Sequence, residues 1–191
     1  IPAQLLVGIE NNFPNDYVHA LAQQRRGSLF KIGLQTKTRF WEKQDIYGGI
    51  SWTGQPIQQI WYPSHGMYSN KGVLLGAYIF LPKNAFRFTS MTHDERIKEA
   101  IRQGEKIHPG YGDQIENGVS IAWHRMNHML GCNSFERNIE NDKVFQTMRR
   151  PIGKHILMGD QCSYHTGWQE GAIGSAHYAL KLMNDIARES S

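Results

Sequence analysis

The feature that most constrains this sequence sits near its end, where residues 156–173 read as strand, turn and helix in quick succession. Ile156, Leu157 and Met158 form an apolar run of buried-strand character, Gly159 and Gly167 bracket a turn, and a helical pattern starts near Gln169. Ala172, Ile173, Ala176, Leu180, Met183 and Ala187 then fall on one stripe, the expected buried face of that helix. A helix start leaves backbone N–H groups without intrahelical acceptors and carries the positive end of the macrodipole, so it attracts anionic or electron-rich ligand atoms. Glycines at 159, 167 and 171 would let a flat or phosphorylated ligand approach the backbone. The same residues equally suit a tightly packed strand–helix corner with no ligand, so the rest of the chain has to discriminate.

Elsewhere the pattern is α+β. Pro14 and Asp16 open a short helix, and from residue 29 the period changes to two, with Phe30, Ile32 and Leu34 on one face and Lys31, Gly33 and Gln35 on the other. Gly48-Gly49 marks a turn before strands near 57–62 and 73–80, the latter expected to place Leu74, Gly76, Tyr78 and Phe80 on one face. Thr92 and Glu95 make a capping-box pattern leading into Ile97, Ala100 and Ile101. Residues 109–118 read as a loop, 119–123 as a short strand and 133–150 as a polar stretch.

Composition excludes several function classes. With 191 residues, 40% of them hydrophobic, the chain is long enough for one large domain or two lobes. The net charge of +4 is scattered, with only Arg25-Arg26 and Arg149-Arg150 adjacent, which argues against a nucleic-acid surface. Cys132 and Cys162 are too few for a disulfide framework and lack metal-ligand spacing. His124 and His128 have no His-Glu-x-x-His context, and Ser163 and His165 lack a Gly-x-Ser-x-Gly elbow, so neither zinc nor hydrolase chemistry is expected. No apolar run reaches the roughly 20 residues of a membrane span, so a soluble chain without a membrane is expected, its compartment (secreted or cytoplasmic) left open. The start at Ile1-Pro2, with no Met, reads as a cut.

With those residues in view, the 159–172 segment resembles the C-terminal FAD-contacting motif of the flavin amine oxidases, the family of monoamine oxidases and L-amino-acid oxidases. The resemblance extends through Lys31-Ile32-Gly33-Leu34, Phe40-Trp41, Gly48-Gly49, Gly76-Ala77-Tyr78-Ile79-Phe80 and Trp123, in the family's order. It implies an α+β fold, a mixed-sheet substrate domain at 28–123, with 1–27 and 124–191 as pieces of a Rossmann-like FAD-binding domain completed by partner chains. It implies that Lys31 is catalytic and holds a water beside the flavin, with Gly33 leaving room for it. Tyr78 would bind the substrate carboxylate, with Phe80, Gly167 and Trp168 also at the substrate. Trp123, Cys132, Gly159, Asp160, Gly167, Trp168 and Gln169 would contact FAD.

Cys132 matches the position that carries a covalent flavin in monoamine oxidases, whereas L-amino-acid oxidases generally hold FAD non-covalently, which is the expectation here. Monoamine oxidases follow that cysteine with an aromatic residue; Asn133 stands here instead, which argues for an amino acid over a simple amine. The chain contains no Gly-x-Gly-x-x-Gly for the FAD pyrophosphate. The resemblance therefore implies a proteolytically processed L-amino-acid oxidase, like the bacterial glutamate and phenylalanine oxidases. Its N-terminal chain or chains from the same precursor would carry that motif and a carboxylate-binding arginine, in a higher oligomer using O2. The alternatives are an amino-acid 2-monooxygenase, a monoamine or polyamine oxidase, or a non-catalytic substrate-binding module.

Overall fold

The computed structural model describes residues 1–133 and 139–189. In chain order the elements are α1 (Ala3–Leu6), α2 (Asn15–Gln23), β1 (Arg26–Gly27), β2 (Phe30–Thr36), β3 (Ile50–Trp52), β4 (Gln59–Trp61) and β5 (Gly72–Ile79). They continue with α3 (Pro82–Thr89), α4 (His93–Gly104), α5 (Tyr111–Gln114), β6 (Ile115–Ala122), β7 (Cys132–Asn133), α6 (Lys143–Arg149) and α7 (Gln169–Glu189). The chain divides into two compact units, one of residues 28–126 and one joining 1–27 to 127–191. Among the described residues no helix is long and apolar enough to cross a membrane.

The 28–126 unit is built on a five-stranded sheet of order β3-β4-β5-β2-β6. Every pairing is antiparallel, which corrects the expected mixed sheet. The reason is topological: the β3–β4 hairpin returns the chain to β5 against β2, and β6 returns against the other side of β2, with no parallel crossover needed. Phe30, Ile32 and Leu34 are fully buried, as their period-two spacing predicts, and pack with Trp41, Leu74, Ala77, Ile79, Phe88 and Tyr111. α3 begins on Pro82, whose missing N–H costs nothing in a first turn. α4 begins with the predicted capping box, the Glu95 carboxylate accepting from the Thr92 N–H at 2.7 Å. The 109–118 loop is replaced by α5 and the start of a longer β6, because residues 115–118 extend the ladder with β2.

A polar chain runs from the buried Tyr62 and His108 of this core toward the surface. The Tyr62 hydroxyl lies 2.7 Å from Ser51 Oγ and also bonds His108 Nε2, while His108 Nδ1 lies 2.8 Å from Gln44 Oε1. Because the glutamine oxygen only accepts, Nδ1 carries the proton, and the neutral imidazole accepts from Tyr62 at Nε2. Burial holds the His108 pKa below its ordinary value. In the unfolded chain His108 takes up a proton near pH 6.5, so the unfolded state binds more protons just below that pH. Stability is therefore full above pH 6.5 and falls on acidification, by at most about 1.4 kcal/mol per pH unit from this group. Unfolding midpoints measured from pH 7.5 to 5 should show this loss, and His108→Gln should flatten that part of the slope; an unchanged slope would reject the assignment.

In the other unit, α1, α2, α6 and the 3-10 turn Asp160–Cys162 close over Ala3, Tyr17, Leu21, Met148 and Cys162. Gln161 ties down the N-terminal end, its Oε1 accepting from the Ala3 N–H at 3.0 Å and its Nε2 donating to the Ile1 carbonyl at 3.1 Å. Arg149 stacks over Tyr178, Tyr164 and Phe145 at 4.3, 4.5 and 5.1 Å, joining α6, the 159–168 turn and α7 by cation–π contacts. Burial pushes the Cys162 thiol up to about 12, so it is an inert core residue.

Two expectations fail in this unit. Residues 156–158 form no strand, since none of the described strands lies alongside to satisfy their backbone groups. The buried stripe of α7 is also rotated from the expected one. Gly171, Ser175 and Ala179 are buried, whereas Leu180 is 62% and Ile173 is 55% exposed. Small residues are inward because the 159–165 turn runs against that face, with Ser175 Oγ accepting from the Gly159 N–H at 3.1 Å.

Candidate functional site

In the 28–126 unit the decisive local feature is a β-bulge. Ile32 pairs with Ala77 but Gly33 pairs with Leu75, so Gly76 is an extra residue with no partner across the ladder. The bulge reverses the alternation of β5: Leu74 and Gly76 face the core, and after it Ala77 and Ile79 do. Tyr78 is thereby turned out, correcting the expectation that it shares a face with Leu74 and Gly76. It stands directly opposite Lys31, whose Nζ lies 4.7 Å from the Tyr78 ring centroid. Gly76 must be glycine, since a Cβ there would overlap Leu34 and come within 3.1 Å of the Tyr111 hydroxyl.

Around this pair the sheet gathers aromatic side chains. Trp61 lies 5.6 Å and Phe80 6.1 Å from Tyr78, centroid to centroid, and the Trp61 indole N–H is fixed by Gln59 Oε1 at 2.7 Å. The end of β5 is held by Gln58, whose Oε1 accepts from the Phe80 and Leu81 N–H groups at 2.8 and 2.9 Å. A Cβ on Gly33 would make ordinary contact with Val119 and Val73, so that part of the face is only loosely filled. Trp61 was not singled out from the sequence, although its parity opposite Ile60 in a strand was a usable signal. In the same unit Trp123 follows β6, and its indole Nε1 is buried with no hydrogen-bond partner among the described residues.

His124 is engaged through both ring nitrogens: its Nε2 lies 3.0 Å from Thr89 Oγ1 and its Nδ1 lies 3.3 Å from the Leu29 carbonyl oxygen. No cluster of potential metal ligands occurs among the described residues.

In the other unit the 159–171 turn is a tightly determined object. Gly159 has φ +123° and open space where a side chain would stand, while Gly167 has φ +86° and donates its N–H to Asp160 Oδ1 at 2.5 Å. Gly171 differs from the expectation that it makes room for a ligand. A Cβ there would overlap the His165 carbonyl oxygen and lie 2.5 Å from Ser163 Oγ, so its space belongs to the protein's own turn. Trp168, 69% exposed, and Gln169 stand at the start of α7. Cys132 is in no disulfide and pairs with Gly27 across β1 and β7; of Asn133, the backbone alone belongs to the described structure.

Sequence reasoning also missed Arg26, which looked like surface charge. It is half-buried, its Nη2 donates to the Met129 and Gly131 carbonyls at 2.8 and 2.6 Å, and its Nε is buried without a partner among the described residues. Burial lowers its pKa, an effect opposed by Cys132 and Asp160. A buried donor left unpaired costs about 1–3 kcal/mol. Trp123 and Arg26 each therefore suit an acceptor-rich ligand, and Gly159 leaves the backbone beside Asp160 open to one.

The family described as flavin containing amine oxidoreductase matches residues 3–179. The L-amino-acid oxidase of Siganus canaliculatus is 28% identical over 186 residues, covering 95% of this chain and 35% of its own. The flavin-dependent L-tryptophan oxidase RebO of Lentzea aerocolonigenes is 26% identical over 165 residues, covering 82% of this chain and 34% of its own. Among solved structures, cyclohexylamine oxidase from Brevibacterium oxydans IH-35A shares the fold with a TM-score of 0.78, over 99% of this chain and 42% of that one at 18% identity. The chain spans about a third of the length of the curated relatives it matches.

Proposed function

We propose a function from one established premise: the chain belongs to the flavin containing amine oxidoreductase family, whose cofactor is FAD. We infer that it is part of an L-amino-acid oxidase, which with water and O2 turns an L-α-amino acid into a 2-oxo acid, ammonia and hydrogen peroxide. The observation that carries this reading is the Gly76 bulge, which sets Tyr78 beside Lys31 on the outer face of the sheet. The two relatives named as L-amino-acid and L-tryptophan oxidases support it.

When bound, FAD would supply the redox chemistry, a two-electron oxidation of the substrate with O2 as the final acceptor. The protein supplies binding and proton handling. Tyr78 donates its hydroxyl to the substrate carboxylate, and an arginine from outside this chain completes the charge-assisted clamp. Lys31 holds a water and its proton next to the reacting centre. The Gly167 carbonyl and the Trp168 ring border the amino group, and Phe80 borders the side chain. Toward FAD, Asp160, oriented by the Gly167 N–H, binds the ribityl or phosphate part beside the open Gly159 backbone. The orphaned donors of Trp123 and Arg26 meet acceptor atoms, Cys132 makes a non-covalent contact, and the α7 start at Gln169 offers its positive end to developing negative charge.

The partner is the N-terminal chain or chains of the same precursor, carrying Gly-x-Gly-x-x-Gly, in a higher oligomer. Ile173, Leu180 and Met183, exposed together on α7, support such a partner. Purifying the native protein, identifying every chain that accompanies it and recording its visible spectrum tests this directly. A peroxide assay across amino acids and amines, with product analysis, tests the reaction: amide product would indicate a monooxygenase, and turnover of amines lacking a carboxylate a monoamine or polyamine oxidase. Tyr78→Phe should raise KM for the amino acid roughly 10- to 100-fold through loss of one bond to a charged group, with kcat changed much less. An unchanged KM would remove Tyr78 from the carboxylate site.

A further inference from the structure

A cavity of about 590 Å³ lies in the 28–126 unit, between the segment after β2 and the segment before β5. It is separate from the Lys31–Tyr78 pair, since Lys31 and Lys37 are six residues apart on an extended strand, about 20 Å. Its lining carries three cations, Lys37, Arg39 and Lys43, against one carboxylate, Glu42. That carboxylate is already committed: Oε1 binds Arg39 Nε at 2.5 Å and Oε2 accepts the Tyr68 N–H at 3.1 Å. Lys37 and Lys43 form no ion pair among the described residues.

Arg39 is the built element of this cavity. Its side chain is only 4% exposed, held by Glu42, by the Pro63 carbonyl at 2.8 Å and by the Trp41 ring, and its Nη1 makes no hydrogen bond among the described residues. The walls include two exposed tyrosines, Tyr47 and Tyr68, with ring centroids 6.5 Å apart. Tyr68 presents its exposed ring from a left-handed backbone, φ +62°, its N–H held by Glu42 Oε2. Asp45 lies next to Tyr47 but outside the lining.

We propose that this cavity binds a small phosphate monoester carried on a flat ring, the dianion meeting Lys37, Lys43 and Arg39 Nη1 and the ring resting against Tyr68 and Tyr47. A preorganised guanidinium with flanking ammonium groups suits a phosphate, and exposed aromatic faces suit a ring. The site is independent of the oxidase reading.

Isothermal titration of the native flavin-loaded protein with adenosine monophosphate and with phenyl phosphate tests it, with adenosine and inorganic phosphate as controls. Saturable binding of at least one ring phosphate is expected, about tenfold or more tighter than either control. The combined Lys37→Gln and Lys43→Gln variant should weaken it by about tenfold or more, Tyr68→Ala should weaken it, and Lys37→Arg with Lys43→Arg should retain it. Which ring phosphate binds tells a nucleoside from a simple aryl ester. No saturable binding, affinity unchanged in the glutamine variant, or a control binding as tightly as the ring phosphates would overturn the proposal.

Discussion

Replacing Gly171 with alanine is expected to destabilise the protein, although helix propensity alone favours the change by about 1 kcal/mol. The new methyl group would be driven into the His165 carbonyl oxygen and would lie 2.8 Å from its carbon, both backbone atoms that no rotamer change can move. Nor can the turn retreat: the His165 N–H is bound to Ser163 Oγ at 2.9 Å, Gly167 to Asp160, and Gly159 to Ser175. Overpacking against a fixed backbone costs about 3 kcal/mol, leaving a net loss of about 2 kcal/mol. For a chain of this size that lowers the thermal midpoint by roughly 4–8 °C. Gly174 is the internal control, three residues along the same helix, where an added methyl group would meet nothing within 4 Å. There, Gly174→Ala should raise the midpoint by roughly 2–4 °C, the propensity gain alone. If Gly171→Ala were stabilised like Gly174→Ala, the turn would be soft, and its role as a rigid corner beside Asp160 would fall with it.

The same glycine shows what local sequence can and cannot reveal. The turn and the helix start were legible because their signals are contiguous: Gly159, Gly167 and the helical periodicity from Gln169 report on neighbours a few residues away, whereas the strand expected at 156–158 does not form. Which face of α7 is buried was not legible, because burial depends on what packs against the helix. The large apolar stripe of Ile173, Leu180 and Met183 dominates the periodicity, yet the turn needs the small stripe of Gly171, Ser175 and Ala179. The missed helix α6 had its own signal, Asp142 accepting from the Val144 and Phe145 N–H groups, but charged neighbours masked Phe145 and Met148 as a core pair.

For β2, strict alternation identified Phe30, Ile32 and Leu34 as core and so placed Lys31 outside it. For β5, alternation failed at one residue. Gly76 within a strand pattern was a signal for a bulge, and reading it that way puts Tyr78 on the Lys31 face without any coordinates. Arg26 was illegible for another reason: adjacent arginines look alike in sequence, and only the carbonyls of Met129 and Gly131, more than 100 residues away, distinguish the half-buried one.

Lys31→Met is expected to slow turnover by roughly 100-fold or more while leaving KM for the amino acid nearly unchanged, the reverse of the split expected for Tyr78→Phe. Methionine keeps the length and apolar body of the stem, so the change removes the ammonium and its proton and little else. The backbone there is fixed, since β2 is paired on both sides, to Tyr78 through β5 and to Ile121 through β6. The contact that is lost, Nζ over the Tyr78 ring at 4.7 Å, is worth about 0.5–1 kcal/mol at a partly exposed position, so the thermal midpoint should move by only a few degrees. Rapid-mixing measurements on the assembled, flavin-loaded protein divide the catalytic effect between two half-reactions. A lysine that orients water for hydride transfer slows anaerobic reduction by substrate, whereas one that serves oxygen chemistry slows reoxidation by O2 and leaves reduction intact. Either result supports a catalytic Lys31. Unchanged rates in both halves, or a loss confined to KM, would reduce Lys31 to a support for Tyr78, and the proton-handling group would then have to lie outside the outer face of this sheet.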